Sequence, residues 1–295
     1  MDKASVLKLQ CGPFGLTVGH RTLIMGIVNV TPDSFSDGGL FFDHADAIAQ
    51  GEALAAAGAD IIDVGGESSR PFSEPVPEQE EIRRVVPVIR ELAGRLSVPI
   101  SIDTHKAQVA RHAISAGASI VNDIGALKLD SAMANLVAEA GVAVVVMHMK
   151  GTPKAMQVDP HYQDVVGEVR AFLANAVERA QQAGIDRTKI IVDPGIGFGK
   201  TVTHNLLLIK HLAGLQALGV PILIGPSRKS FITKILGPGD ERREVGTQAA
   251  VAVAALHGAH IVRVHDVERT RHTLKLVDAI KDAARSNYDP WGKHG

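Results

Sequence analysis

The sequence predicts an α/β protein, a single closed (β/α)8 TIM barrel, and three observations predict it. Eight short apolar runs begin near Leu23, Ile61, Pro99, Ser119, Val142, Ile190, Pro221 and Ile261. Longer amphipathic segments separate them. Glycines at Gly58, Gly117, Gly141, Gly184 and Gly219 fall shortly before a run, where a helix would stop.

The runs read IIDV, ISID, SIVNDI, VAVVVMHM, IIVD, PILIG and IVRVHD after the first, rich in β-branched residues and continuous rather than alternating. Continuous apolar runs suit parallel strands buried on both faces. The clearest helical pattern puts Ile82, Val85, Val86 and Ile89 on one stripe, with Glu81, Arg83, Arg84 and Arg90 facing away. Another segment, Glu244 to Gly258, is rich in Ala and Val and suits close packing. The chain has 295 residues with no break in composition, and one α/β barrel takes about 250. The barrel is therefore assigned to residues 23–286. An open doubly wound sheet is the alternative on pattern alone. Residues 1–22 are predicted to add a short N-terminal β-hairpin turned at Gly12-Pro13, and residues 287–295, with Pro290 and Gly292, a loose tail.

Charge bounds the partners. The chain carries 31 Lys and Arg against 32 Asp and Glu, a net charge of −1. No basic field for nucleic acid and no lysine-rich face for a membrane follows from that balance. No apolar run reaches the roughly 18 residues of a membrane span. The charged start, with Asp2, Lys3 and Lys8, does not read as a signal peptide. One cysteine, Cys11, excludes an intrachain disulfide and fits a reducing compartment. The expected location is the cytoplasm.

In a barrel of this kind the active site forms where the strands end. The first run ends at Asn29 and the second at Asp63, with GGESSRPFS beyond Val64. The third ends in Asp103-Thr104-His105-Lys106, the fourth in Asn122-Asp123 and the fifth in Met147-His148-Met149. The sixth ends in Asp193 and a glycine-rich stretch to Lys200, the seventh leads to Gly225 through Ser230, and the eighth carries Arg263, His265 and Asp266. An aspartate at a strand end is more often a helix cap than a catalyst, and Asp63 and Asp123 read as such structural groups. Taken together, one mouth would gather Asp103, Asn122, Asp193, Lys229 and Arg263. That costs solvation unless a ligand uses them. Asp103, Asn122 and Asp193 supply acceptors for a heterocycle edge with adjacent N–H donors. Arg263, His265, Asn29 and the hydroxyls of Ser68 and Ser69 suit an anion, and the Asn29 oxygen suits a hard ion such as Mg2+.

These stretches resemble the dihydropteroate synthase family. MGIVNVTPDSFSDGG (Met25 to Gly39) is similar to its first signature and IIDVGGESSRP (Ile61 to Pro71) to its second. SIDTHK, VNDI, MHMKGTPKAMQ, DPGIGFGK, SRKSF and RVHDV follow in the family's order. The resemblance covers about Leu23 to Val267. It implies a transferase of folate biosynthesis and a sulfonamide target, in which 4-aminobenzoate displaces diphosphate from 6-hydroxymethyl-7,8-dihydropterin diphosphate. It implies pterin contacts at Asp103, Asn122, Asp193 and Lys229. Diphosphate contacts fall at Asn29, Ser69, Arg263 and His265, with Asn29 also at Mg2+. The aminobenzoate pocket falls at Phe35, Arg70, Pro71, Phe198 and Ser230. Asn29, Asp103, Lys229, Arg263 and His265 are the expected catalytic set, and a homodimer is implied as the assembly.

Two positions depart from the family pattern. Ser69 stands where threonine is usual, which keeps the hydroxyl. Phe72-Ser73 stands where a glycine and a small residue are expected, which changes the second loop. No nucleophile–base pair for covalent catalysis is evident, which fits a dissociative displacement with a neutral aromatic amine as nucleophile. The nearest rival is a methyltetrahydrofolate:corrinoid methyltransferase-type pterin-binding domain. It shares the Asp and Asn contacts but not the TPDSFSDGG and SRK segments.

Overall fold

In the computed structural model, which describes residues 6–31, 44–67, 75–151, 156 and 159–283, two antiparallel strands precede eight parallel ones. The first two are β1 (Leu7–Cys11) and β2 (Phe14–Val18). The parallel set is β3 (Leu23–Asn29), β4 (Ile61–Gly65), β5 (Ile100–Asp103), β6 (Ile120–Asp123), β7 (Ala143–Met147), β8 (Ile190–Asp193), β9 (Leu223–Ile224) and β10 (Ile261–Val264). The described helices are α1 (His44–Ala56), α2 (Glu78–Arg95), α3 (Ala107–Ser115), α4 (Met133–Ala140), α5 (Val165–Gln182), α6 (Val202–Lys210), α7 (Ser230–Leu236), α8 (Asp240–Leu256) and α9 (Val267–Asp282).

The parallel strands pair in the order β8-β7-β6-β5-β4-β3-β10-β9. The Val192 N–H donates to the Pro221 carbonyl at 2.9 Å, and Val192 bridges Ile222, so β8 meets the approach to β9 and the ring closes. Closure rules out the open doubly wound sheet. The five glycines that precede the runs all have positive φ, as helix stops require.

Alternation along each strand sorts side chains to two cores. Ile24, Val28, Ile62, Val64, Ile102, Val121, Val144, Val146, Val192 and Val262 face outward and pack against the helices. Leu23, Met25, Ile61, Ile120, Ala143, Val145, Ile191, Leu223 and Ile261 face inward, and Leu9, Cys11 and Val18 of the hairpin cover them from below. The hairpin turns at Gly12-Pro13 as predicted, and a Cβ on Gly12 would come within 3.2 Å of the Ser119 side chain at the foot of β6.

Three expectations need correction. The second run does not end at Asp63, because the β4 ladder continues to Gly65, paired with Asp103. Asp63 therefore points inward one layer below the mouth. On α2, Glu81 does not face away. It is fully buried, while Ile82 and Val86 are only half-buried, so the buried stripe is Glu81, Val85, Val88, Ile89 and Leu92. The reason is a partner from β5's exit: Lys106 Nζ donates to Glu81 Oε2 at 2.6 Å and also to Glu67 and the Val76 carbonyl. The Ala-rich helix begins earlier than Glu244, at Asp240. Residues 287–295, expected as a tail, lie outside the described residues.

Candidate active site

The floor of the upper barrel interior is an ion-pair network. Arg263 on β10 donates from Nε to Asp63 Oδ2 at 2.6 Å and from Nη2 to Asp103 Oδ2 at 2.7 Å. The Asn122 side-chain amide donates to the same Asp63 oxygen at 3.2 Å. Neither carboxylate uses Arg263 Nη1. Asp63 is fully buried, and its Oδ1 has no hydrogen-bond partner. Burial works against the Arg263 charge, but Asp63 and Asp103 overcome it and hold the guanidinium above its usual range. Burial pushes the Asp103 carboxyl up, with Arg263 opposing and the nearby Asp63 adding to the rise. Such a network holds Asn122 and Asp103 in fixed orientations.

A second wall comes from β8 and the loop after it. Asp193 is buried, and its Oδ1 accepts the Gly195 N–H at 2.7 Å. Burial pushes its carboxyl up to about 6, against that hydrogen bond and the cations Lys229 and Lys200. Gly195 has a φ of 69°, and a Cβ there would stand 2.0 Å from the His148 carbonyl oxygen, so only glycine fits. Phe198 is buried with Ile124, Met147 and Met156 in a small apolar patch. The Lys229 ammonium lies over the Phe198 ring, 4.2 Å from its centroid. Burial pushes Lys229 down to about 8, with Arg263 adding to the fall and Asp193 and Asp103 resisting it.

The turn after β9 brings Lys229 in. Arg228 adopts a left-handed φ of 56°, and its N–H donates to Thr247 Oγ1 at 3.0 Å. A non-glycine residue in that region is strained unless its surroundings impose it. Ser227 Oγ lies 2.8 Å from His265 Nδ1, which ties the turn to the exit of β10. Ser230 follows as the first residue of α7 and is exposed. Asn29 closes β3, half-buried.

The structure thus gathers Asp103, Asn122, Asp193, Lys229, Arg263, Phe198 and His265 around one mouth, with Asn29 and Ser230 at strand and helix ends on the same side. Phe35, Ser69, Arg70 and Pro71, with Phe72-Ser73, lie outside the described residues. Asp123 is the structural group expected of it: its two oxygens accept the Gly125 and Leu127 N–H groups, each at 2.7 Å. Asp63 is more than that, since it anchors Arg263 and Asn122. Its inward register with Ile61 was the available signal, two residues apart on one strand face. Chemically, the mouth offers carboxylate and amide acceptors, one ammonium and one guanidinium. It suits a flat heterocycle with N–H donors on one edge and an anion beside it.

A barrel with this donor set at its mouth is a pterin-binding enzyme by class, and the comparisons agree. The family described as pterin binding enzyme matches residues 25–265. The dihydropteroate synthase of Escherichia coli (strain K12) is 45% identical over 277 residues, covering 94% of this chain and 98% of that protein. The Xanthomonas albilineans dihydropteroate synthase solved with 4-aminobenzoic acid superposes with a TM-score of 0.88 at 45% identity, covering 94% of this chain and 99% of that one. The same enzyme solved with 7,8-dihydropteroate gives a TM-score of 0.84 at 44% identity, covering 93% of this chain and 98% of that one. The chain belongs to the dihydropteroate synthase family of pterin-binding enzymes.

Proposed function

We propose that the chain joins 4-aminobenzoate to 6-hydroxymethyl-7,8-dihydropterin diphosphate, releasing 7,8-dihydropteroate and diphosphate for folate synthesis. The observation that carries this reading is the convergence of Asp103, Asn122, Asp193 and Lys229 on one slot beside Arg263. Two carboxylates and an amide match the N–H-rich edge of a pterin, a bidentate fit that a neutral apolar ligand could not repay. Lys229 offers donors to the ring's oxygen and nitrogen acceptors.

Asn29, Ser69, Arg263 and His265 are assigned to the diphosphate. Arg263 is held rigid by Asp63 and Asp103, which presents its remaining Nη1 as a preorganised donor. Phe35, Arg70, Pro71, Phe198 and Ser230 are assigned to 4-aminobenzoate. A solved relative holding 4-aminobenzoic acid supports that substrate class. An aromatic amine is neutral near pH 7 and needs no strong base to attack. The residues' tasks are to orient the two rings, stabilise the leaving anion and keep water from the reactive carbon.

Mg2+ is the expected cofactor. No cluster of three or more His, Cys, Asp or Glu occurs among the described residues, whereas the Asn29 side chain offers one neutral oxygen at the mouth. That donor set fits an ion held mainly by substrate oxygens and water. When bound, Mg2+ would neutralise charge on the departing diphosphate. A homodimer is supported by exposed apolar side chains on α7 and α8, among them Ile235, Val245 and Val253. No described helix is long and apolar enough to cross a membrane, and a cytoplasmic location is proposed with the rest.

The test is direct. The protein is incubated with the pterin diphosphate, 4-aminobenzoate and Mg2+, and both products are assayed. Equal release of dihydropteroate and diphosphate is expected. Pterin binding without diphosphate release would sink the assignment.

A further inference from the structure

Lys200 has no role in the reading above, yet it is one of the most deeply placed cations in the molecule, 3% exposed. Its Nζ lies 2.9 Å from the Phe198 carbonyl oxygen, 3.0 Å from His148 Nδ1 and 3.3 Å from the His148 carbonyl oxygen. An ammonium has three N–H donors, and these acceptors account for all of them. They sit on two different loops, the one leaving β7 and the one leaving β8. The loops touch through backbone: a Cβ on Gly199 would stand 2.3 Å from the Lys150 carbonyl oxygen. Tyr162 Oη donates to the Gly199 carbonyl at 2.8 Å, a second tie between the same loops.

Between those ties stands Phe198, whose ring carries the Lys229 ammonium on its face and packs against Met147 and Met156. A lysine that served only to fill space would be a poor choice, because burial disfavours its charge and pushes it down to about 7. An uncharged chain of similar volume would fill the same space without that penalty. The lysine nitrogen nevertheless stands where two carbonyls and an imidazole nitrogen converge on it.

We infer that Lys200 is a positioning residue for the second substrate: its ammonium clamps the Phe198 carbonyl to His148 and so fixes the Phe198 ring as a wall of the 4-aminobenzoate pocket beneath Lys229. The inference rests on the proposed reading of Phe198 as part of that pocket.

A double-mutant cycle on the full chain tests it, with Lys200→Met, Phe198→Leu and the pair. The readouts are the KM for 4-aminobenzoate, kcat, and the pterin diphosphate Kd by calorimetry. Lys200→Met is expected to raise that KM roughly tenfold through misplacement of one wall, with kcat and the pterin Kd within about twofold. In the Phe198→Leu background it should add less than about twofold, since the two act as one unit. An unchanged KM in Lys200→Met overturns the inference. So does an equal rise in both backgrounds, or a parallel loss of pterin affinity, which marks general loosening. If Phe198→Leu alone leaves the KM unchanged, the reading of Phe198 fails first and the inference with it. Should Lys200→Met not fold, Lys200→Gln keeps two N–H donors, and about a threefold rise is expected on the same ground; no rise overturns the inference.

Discussion

The two ends of the barrel are made from the same strands by opposite chemistry. At the lower end the inward residues are Ile61, Ile120, Ile191 and Ile261, covered by Leu9, Cys11 and Val18 of the hairpin. Two residues further along the same four strands, the inward positions are Asp63, Asn122, Asp193 and Arg263. One step of the strand period converts a packed aliphatic layer into a network of charges. The lower layer gains from every methyl it buries. The upper layer loses solvation and recovers it only through partners. Methyl burial therefore holds the lower end and ion pairing the upper end, and substitutions at the two ends should differ in their dependence on pH and in their effect on ligands.

The largest effect is expected at the charge network. Arg263→Ala leaves Asp63 and Asp103 without the cation that bridges them, and Asp63 already has one unpaired oxygen. Removing one partner of a buried ion pair costs about 3–5 kcal/mol, to be read as a fall in the denaturant midpoint at neutral pH. The sign with pH follows from what is left behind. The Asp103 carboxyl, already pushed up by burial, loses the Arg263 charge that opposes that rise, so the variant should recover stability relative to the wild type as pH falls toward 4. A loss independent of pH would mean that Arg263 acts by packing alone, and the contrast between the two ends would weaken.

The lower end provides the complementary break. Leu9→Ala removes buried apolar volume from the hairpin's cover over the barrel. A cost of about 2–5 kcal/mol is expected from lost burial and the cavity left. The kcat/KM for both substrates should not change, because Leu9 lies a full strand length from the mouth. A matching fall in kcat/KM would show that the two ends are coupled through the strands.

Asp193→Asn should act in the reverse sense, on binding more than on folding. The amide keeps one acceptor for the Gly195 N–H but turns a donor toward the ligand's donors. Pterin binding should weaken by about 2–4 kcal/mol, measured by calorimetry. The carboxyl, with its ordinary value of 3.8, is raised to about 6 by burial. The folded protein therefore binds that proton more tightly, and this contribution to stability is full below 3.8 and lost as pH rises through 6. A ligand with N–H donors favours the ionised form, so pterin affinity should rise between pH 5 and 7 in the wild type. A profile as flat as that of Asp193→Asn would remove Asp193 from the site.

How much of this was legible in the sequence differs between the same two regions. The strands and their order were legible because apolar runs and glycine stops are local signals. The strand-end residues of the mouth were legible because the barrel puts all eight ends on one side. Asp63 was taken as a strand end because polarity begins there, whereas the ladder runs on to Gly65. Glu81 was placed outward because periodicity registers its charge and not its partner Lys106, 25 residues away. The burial of Lys200 leaves no trace in composition, since two of its three acceptors are backbone carbonyls, which every residue has. Pairwise partners across the fold are what a one-dimensional pattern omits.

The smallest effect sharpens the comparison within the upper end itself. Ser227 Oγ lies 2.8 Å from His265 Nδ1 and accepts the His265 backbone N–H at 3.3 Å. A Ser227 hydroxyl that gives its own proton to Nδ1 fixes the ring's proton on Nε2. A proton on Nε2 is the tautomer that the proposed diphosphate role of His265 calls for. Ser227→Ala removes this control without touching the charge network of Asp63, Asp103 and Arg263. The kcat/KM for the pterin diphosphate should fall by about 0.5–1.5 kcal/mol, the range for one net hydrogen bond. On the proposed diphosphate role of His265, a pterin without the diphosphate should bind as before. If the bare pterin loses as much as the diphosphate, Ser227 is bracing the whole turn that carries Lys229, and His265 is not the group it serves.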